Sequence, residues 1–306
     1  LTREFPQLNL QFQDLLVTIY FEYMHPLCPA INREGFLEWY ENRNVLSLTG
    51  LEQLQLYAVF FGACGYLDDV QLCNSPFESV MESQQTLFRI VQTIYHALED
   101  HTGDIVLIQT ALILSHWSPY DATTEVNGFW VDEAMRHAIA GGYFVHGIAM
   151  HMRVVQWCCL VRNRTIVLGL HRSQLLYDLD SGPIPDLHDF ELSSLPSASR
   201  IHRWCTTKAF VLLCHLSEIM ADIVDSRTKL QWVPWWQDAE DMGQFSRLQD
   251  VMSLDQRLVA WRYDFDCFCR GIGDSLLVSN RHAYLNFLLI LHLYGLVSTL
   301  CPKSSH

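Results

Sequence analysis

The chain has 306 residues, 50% of them apolar and 18% charged, a composition that excludes disorder, collagen and a disulfide mini-scaffold at a length that can bury a large core. Lys and Arg number 20 against 34 Asp and Glu, a net charge of −14, so the surface repels phosphate backbones and direct nucleic-acid binding is not expected. The 10 cysteines include no C-x-x-C pair, which removes the paired thiolates a zinc cluster needs and points to free thiols in a reducing compartment.

No basic, apolar, small-residue signal pattern opens the chain. Leu15, Leu16, Ile19, Tyr20 and Tyr23 recur at spacings of three and four, a single helical face, and Pro26 ends it because proline has no amide donor. Capping boxes predict helix starts at Thr49 with Glu52, at Ser75 with Glu78 and at Ser253 with Gln256, Pro76 taking the favoured first position of the second. Further helices are predicted over 104–118, 128–141, 148–169, 200–226 and 280–300, each with an apolar face. The last contains the one run that invites a membrane assignment, 284–300, but Asn286, His292 and Ser298 interrupt it and about 20 apolar residues are needed to span. Between 172 and 199 the turn formers Ser181, Gly182, Pro183, Pro185 and Pro196 predict a long loop, a soft boundary inside what reads as a single domain. A second irregular stretch, 230–244, holds Trp232, Trp235 and Trp236, read as anchors of a loop on a helical layer. No alternating segment competes, so the fold class is all-α, in layers of about ten helices.

Several residues invite a chemical reading. His137, His146 and His151 fall close together, with His116 one helix earlier and His171 one helix end later. Imidazole exchanges a proton near neutral pH, so such a group in a cavity can serve acid-base chemistry. His146 and His151 are five apart and share no helical face, and no H-E-x-x-H pattern occurs, so no metal site is predicted. Cys158-Cys159 and Cys267-x-Cys269 are read as core packing. Asn163-Arg164-Thr165 matches the glycosylation triplet but lies inside a helix and is set aside. No phosphate loop and no nucleophile elbow appear, and no cofactor is implied.

Four blocks then read together in order: His25-Pro26-Leu27-Cys28-Pro29-Ala30-Ile31 followed by Phe36-Leu37, LQLYAVFFGACGY over 54–66, IQTALILSHW over 108–117, and RVVQWCCLVRNRTIVLGLHR over 153–172. That order resembles the middle homology, or regulatory, domain of fungal binuclear zinc-cluster transcription regulators, the cutinase-gene regulator type above all. The resemblance implies an all-α superhelical domain downstream of a cysteine-rich DNA-binding segment, which these 306 residues do not contain. It further implies dimerisation or contact with coregulators and, in some members, an effector. The signature departs from the family at Gln156-Trp157, where two tryptophans are common, at Asn163-Arg164 in place of Asp-Arg, and at Arg172-Ser173 in place of Arg-Pro. Where relatives often have Gly-Leu-His-Arg, this chain has Gly142-Tyr143-Phe144-Val145.

The resulting expectation is a regulatory, effector-binding domain that does not itself bind DNA, nuclear in location, with a small apolar ligand and a second copy or a coregulator as partners. The alternative is a repurposed, cytoplasmic member of the fold that acts on a small apolar metabolite, a cyclase or isomerase, with His116 and His137 as its catalytic residues. His116, Trp117, Trp130, His137 and Tyr143 are the expected ligand lining, since Trp130 and His137 are seven apart on one helical face; ordinary core aromatics with solvated histidines is the competing reading. Arg153, Trp157, Leu160, Asn163 and Arg164 are expected to be structural. Neither a membrane nor a metal enters either reading.

Overall fold

The computed structural model describes residues 8–44, 47–118, 125–145, 147–169, 181–190, 197–231, 241–272, 290, 294–295 and 297. Of 150–151, 197–200, 202, 227–231, 241–248 and 251 it describes the backbone alone. The predicted helix at 280–300, Trp232, Trp235, Trp236, His146 and His171 lie largely or wholly outside these residues. The chain divides into two compact units, Leu1–Cys159 and Leu160–His306. The division precedes the 172–199 stretch where the sequence places a soft boundary. All regular structure among the described residues is helical.

In the first unit, helix α1 (Leu10–Ile19) is opened by Asn9, whose side chain accepts from the Phe12 amide. It runs into a π-helical turn, Tyr20–Met24, closed by a 2.9 Å bond from the His25 amide to the Tyr20 carbonyl. The wider turn shifts the helical phase by about one residue, or about 100°. Phe21 and Met24 are therefore buried while Tyr23, which simple periodicity puts on the core face, is half-buried. Helix α2 (Arg33–Asn42) is tied back to α1 by Tyr40, whose hydroxyl donates to Asp14.

Helix α3 (Gly50–Cys64) starts with the predicted capping box, Thr49 and Glu52 each accepting from the other's backbone amide. The Glu52 carboxylate also takes the Trp39 indole at 2.9 Å. These bonds, the one from the Thr49 amide foremost, hold it below the usual carboxylate range. A short α4 (Asp69–Cys73) begins with an unforeseen box, Asp68 with Gln71.

The box expected at Ser75 is corrected. Helix α5 (Val80–Ala97) starts at Ser79, which accepts from the Glu82 amide at 3.1 Å. Ser75 instead accepts from the Phe77 amide at 3.1 Å, a local turn that competes with helix initiation and delays it. Helix α6 (Ile105–Leu114), capped by Asp104, and helix α7 (Val126–Ala140) pack side by side. Helix α8 is Met150–Gly169.

α3 packs on α1, α5, α6 and the π-helical turn. At Gly62 a Cβ would lie 3.0 Å from the Tyr20 ring and 3.1 Å from Ile113, so the absence of a side chain there allows a tight fit between these elements. The core there is joined by a polar relay. Gln55 on α3 donates to Gln109 on α6 at 2.8 Å, and Gln109 donates to the Ala30 carbonyl at 2.8 Å.

In the second unit, a 3-10 turn, Leu187–Phe190, rests on helix α9 (Ser197–Gln231) with Phe190 edge-on to Phe210. Helix α10 (Asp241–Ile272) packs along α9. Its buried residues Leu254, Leu258, Trp261, Phe265 and Phe268 alternate spacings of four and three, the seam of a paired helix. The start predicted at Ser253 is corrected: Ser253 is an exposed residue inside α10, because the seam and the residues before it form one continuous helix. The irregular stretch expected at 230–244 shrinks accordingly, with α9 reaching Gln231 and α10 beginning at Asp241.

Candidate functional site

The sequence-predicted lining lies in the first unit: His116 and Trp117 follow the end of α6, Trp130 and His137 are on α7, and Tyr143 comes just after it. Phe88 on α5 bridges two of its members, with ring centroids 4.8 Å from Trp117 and 6.2 Å from Trp130. Tyr95, one α5 face further on, stands edge-on to Trp130 at 5.1 Å and to His137 at 5.9 Å. Trp117, Trp130 and His137 are thus brought into one aromatic layer through Phe88 and Tyr95, two residues the lining did not include. Tyr143 is buried against Gly141, whose added Cβ would lie 2.9 Å from its ring. His116 is exposed just after α6.

His137 is 0% exposed. The Gly103 amide donates to its Nδ1 at 3.1 Å, and Arg136 Nη2 stands 2.9 Å from its Nε2. Burial first, and then the Arg136 guanidinium, pushes the imidazole below its ordinary value of 6.5, so the ring is neutral at neutral pH. Gly103 presents that amide from φ +90°, a backbone conformation that L side chains avoid, and a Cβ there would meet the Gly141 amide nitrogen at 3.1 Å.

Beside the ring, Glu133 accepts from Arg136 through Nε at 3.1 Å and Nη2 at 2.5 Å. That pairing holds the Glu133 carboxyl below the usual range. The Tyr95 hydroxyl is buried facing Glu133 without a well-formed hydrogen bond, and burial raises its pKa far above the phenolic value. The arrangement locks the 98–104 loop to α7 through a neutral imidazole, inside a layer filled by its own rings. General-base use of His137 would require this network to open. The signal in the sequence was the run Glu133, Arg136, His137, spaced three and four apart.

The residues expected to be structural lie along α8. Trp157 and Leu160 are buried, as is every residue from 154 to 161. Asn163 is buried too, consistent with setting its glycosylation triplet aside. Arg164 is buried and donates to Ser181 at 2.7 Å and to Ser217 at 3.3 Å. Burial lowers its guanidinium below the ordinary value. Arg153 is half-buried at the start of the block. Cys158 and Cys159 are buried, and burial raises the Cys159 thiol strongly, a setting for packing rather than thiolate chemistry.

Three of the four sequence blocks meet in the Gln55, Gln109 and Ala30 relay, and the fourth brings Cys158 and Cys159 into the electrostatic surroundings of Tyr20 and Cys28. The first three blocks, with the start of the fourth up to Cys159, therefore contribute to the core of the first unit.

No family model matches the chain, and no solved structure matches it. Among curated proteins it is 26% identical over 302 residues to a protein named cutinase transcription factor 1 beta, from Fusarium vanettenii, covering 86% of this chain and 33% of that protein. It is 25% identical over 200 residues to a protein named transcription factor, from Fusarium pseudograminearum, covering 61% of this chain and 21% of that one. The chain is similar to fungal transcription factors and spans about a third and about a fifth of the lengths of these relatives. No helix among the described residues is long and apolar enough to cross a membrane.

Proposed function

We propose that the chain is the regulatory domain of a fungal transcription regulator, a helical scaffold that answers to an effector or a partner protein, does not bind DNA itself and works in the nucleus. The observation that carries this reading is the similarity over 86% of the chain to a protein named as a transcription factor. Two further features support it. The net charge of −14 disfavours direct contact with a phosphate backbone, and three of the four blocks of the resemblance meet in the core of the first unit. A small apolar ligand and a second copy or coregulator are the expected partners, the ligand in the layer of Trp117, Trp130 and His137 if that layer opens.

The test is a fusion of the whole chain to an unrelated DNA-binding module upstream of a reporter in a filamentous fungus. The regulatory reading expects reporter output to differ several-fold from that of the module alone, and to respond when apolar metabolites are supplied. Output equal to that of the module alone under every condition rejects the reading.

A further inference from the structure

The second unit carries a cleft of 230 Å³ whose two walls come from α9 and α10. The buried residues Leu212, Ile219 and Trp261 supply its apolar lining, with the exposed Ala260 beside them. Trp261 is held rigidly there: its indole donates to the Leu212 carbonyl at 2.7 Å, and Phe265 and Tyr294 stack on it at 5.2 and 5.3 Å. The rim is acidic, with Glu218 on one wall and Asp264 on the other. The one guanidinium of the cleft, Arg257, pairs with Asp222 beside it. His215 stands 3.9 Å from Glu218. Its imidazole is pushed below the ordinary range by partial desolvation, against the opposing pull of Glu218 and Asp264.

We propose that this cleft binds a compact organic cation, an ammonium group on an apolar body, with the ammonium between Glu218 and Asp264 and the body on Leu212, Ile219 and Trp261. Two carboxylates of like charge beside an apolar lining attract a cation and reward an apolar group attached to it. A bare metal ion fits less well, because no three His, Cys, Asp or Glu among the described residues converge closely enough to hold one. The volume lies below the ~300–1,000 Å³ of pockets that take drug-sized ligands, which limits the occupant to a small amine. The inference goes beyond the regulatory reading, as a site in the second unit with its own ligand class, and it rests on that reading only for the ligand's biological meaning.

The experiment is calorimetric titration of the whole chain with 2-phenylethylamine as the probe, taken to millimolar concentration, with 2-phenylethanol as its uncharged counterpart. The proposal expects saturable binding of the amine and binding of the alcohol at least about tenfold weaker. Glu218→Gln combined with Asp264→Asn, both on the surface, weakens the amine at least about tenfold. Arg257→Gln, which releases the Asp222 charge beside the cleft, tightens it several-fold, an effect that loss of folding does not produce. Absence of amine binding, equal affinity for the alcohol, or weakening by Arg257→Gln overturns the proposal. Amine binding with a silent reporter fusion would instead remove the regulatory reading and leave the cleft standing.

Discussion

His137 is a neutral ring in the folded chain, buried and accepting the Gly103 amide. Its value is lowered by folding, so below about pH 6.5 the unfolded chain binds a proton that the folded chain does not. Stability from this site is therefore complete above that pH and is lost as pH falls from about 6.5 towards the lowered folded value. His137→Asn keeps an acceptor near the Nδ1 position and removes the titration. The fall in melting temperature between about pH 7.5 and about pH 5.5 should be smaller in His137→Asn than in the parent chain. An equal fall in both would mean that the ring is not held neutral.

The same scale shows why part of the site was hidden. Gln109 is the one side chain in the apolar run IVLIQTALIL that can both donate and accept through an amide, and it is buried. A buried amide needs partners, but nothing in the spacing says that they are Gln55 and the Ala30 carbonyl. Removing it as Gln109→Leu strands that carbonyl and should cost about 1–3 kcal/mol, measured by urea unfolding, while Gln55→Leu should cost less because Gln55 is half-buried and its loss leaves the Ala30 bond intact. Equal losses would show that the relay acts through Gln55 instead.

At the scale of elements, apolar period and true caps were legible: α3 starts at its predicted capping box, and α6, α7 and α8 start and end within a few residues of the positions read from spacing. The misses share one cause. A serine three residues before an acidic or amide side chain also makes local turns or sits on an exposed helical face, as Ser75 and Ser253 do. The π-helical turn at Tyr20–Met24 left no periodic signal, because one inserted residue shifts the helical phase without any residue type that marks it. Two substitutions test these assignments. Ser79→Ala should lower stability by about 1 kcal/mol through loss of the α5 cap, more than Ser75→Ala. Trp157→Ala on α8 should cost about 3–5 kcal/mol. At this chain length that corresponds to a melting temperature lower by on the order of 10 °C. An unchanged melting temperature would take α8 out of the core.

For the whole molecule, charge separates structural likeness from inherited activity. The relatives are named transcription factors, yet this chain covers only a third of one and a fifth of the other. Whether these residues touch DNA is thus an electrostatic question. Specific and non-specific DNA binding both draw on Lys and Arg that displace condensed counterions, with a salt slope of about −0.9 per phosphate neutralised. Here 34 acidic residues outnumber 20 basic ones. Basic side chains are also spent internally: Arg164 on Ser181 and Ser217, Arg136 on Glu133, Arg257 on Asp222 and Arg262 on Asp266. The whole chain should therefore give no shift of duplex DNA in a gel at about 150 mM salt, and lowering the salt to about 50 mM should not produce one. A retained complex whose affinity falls with a slope of several ions would overturn this expectation, because it would require a phosphate-binding surface on a chain with a net charge of −14.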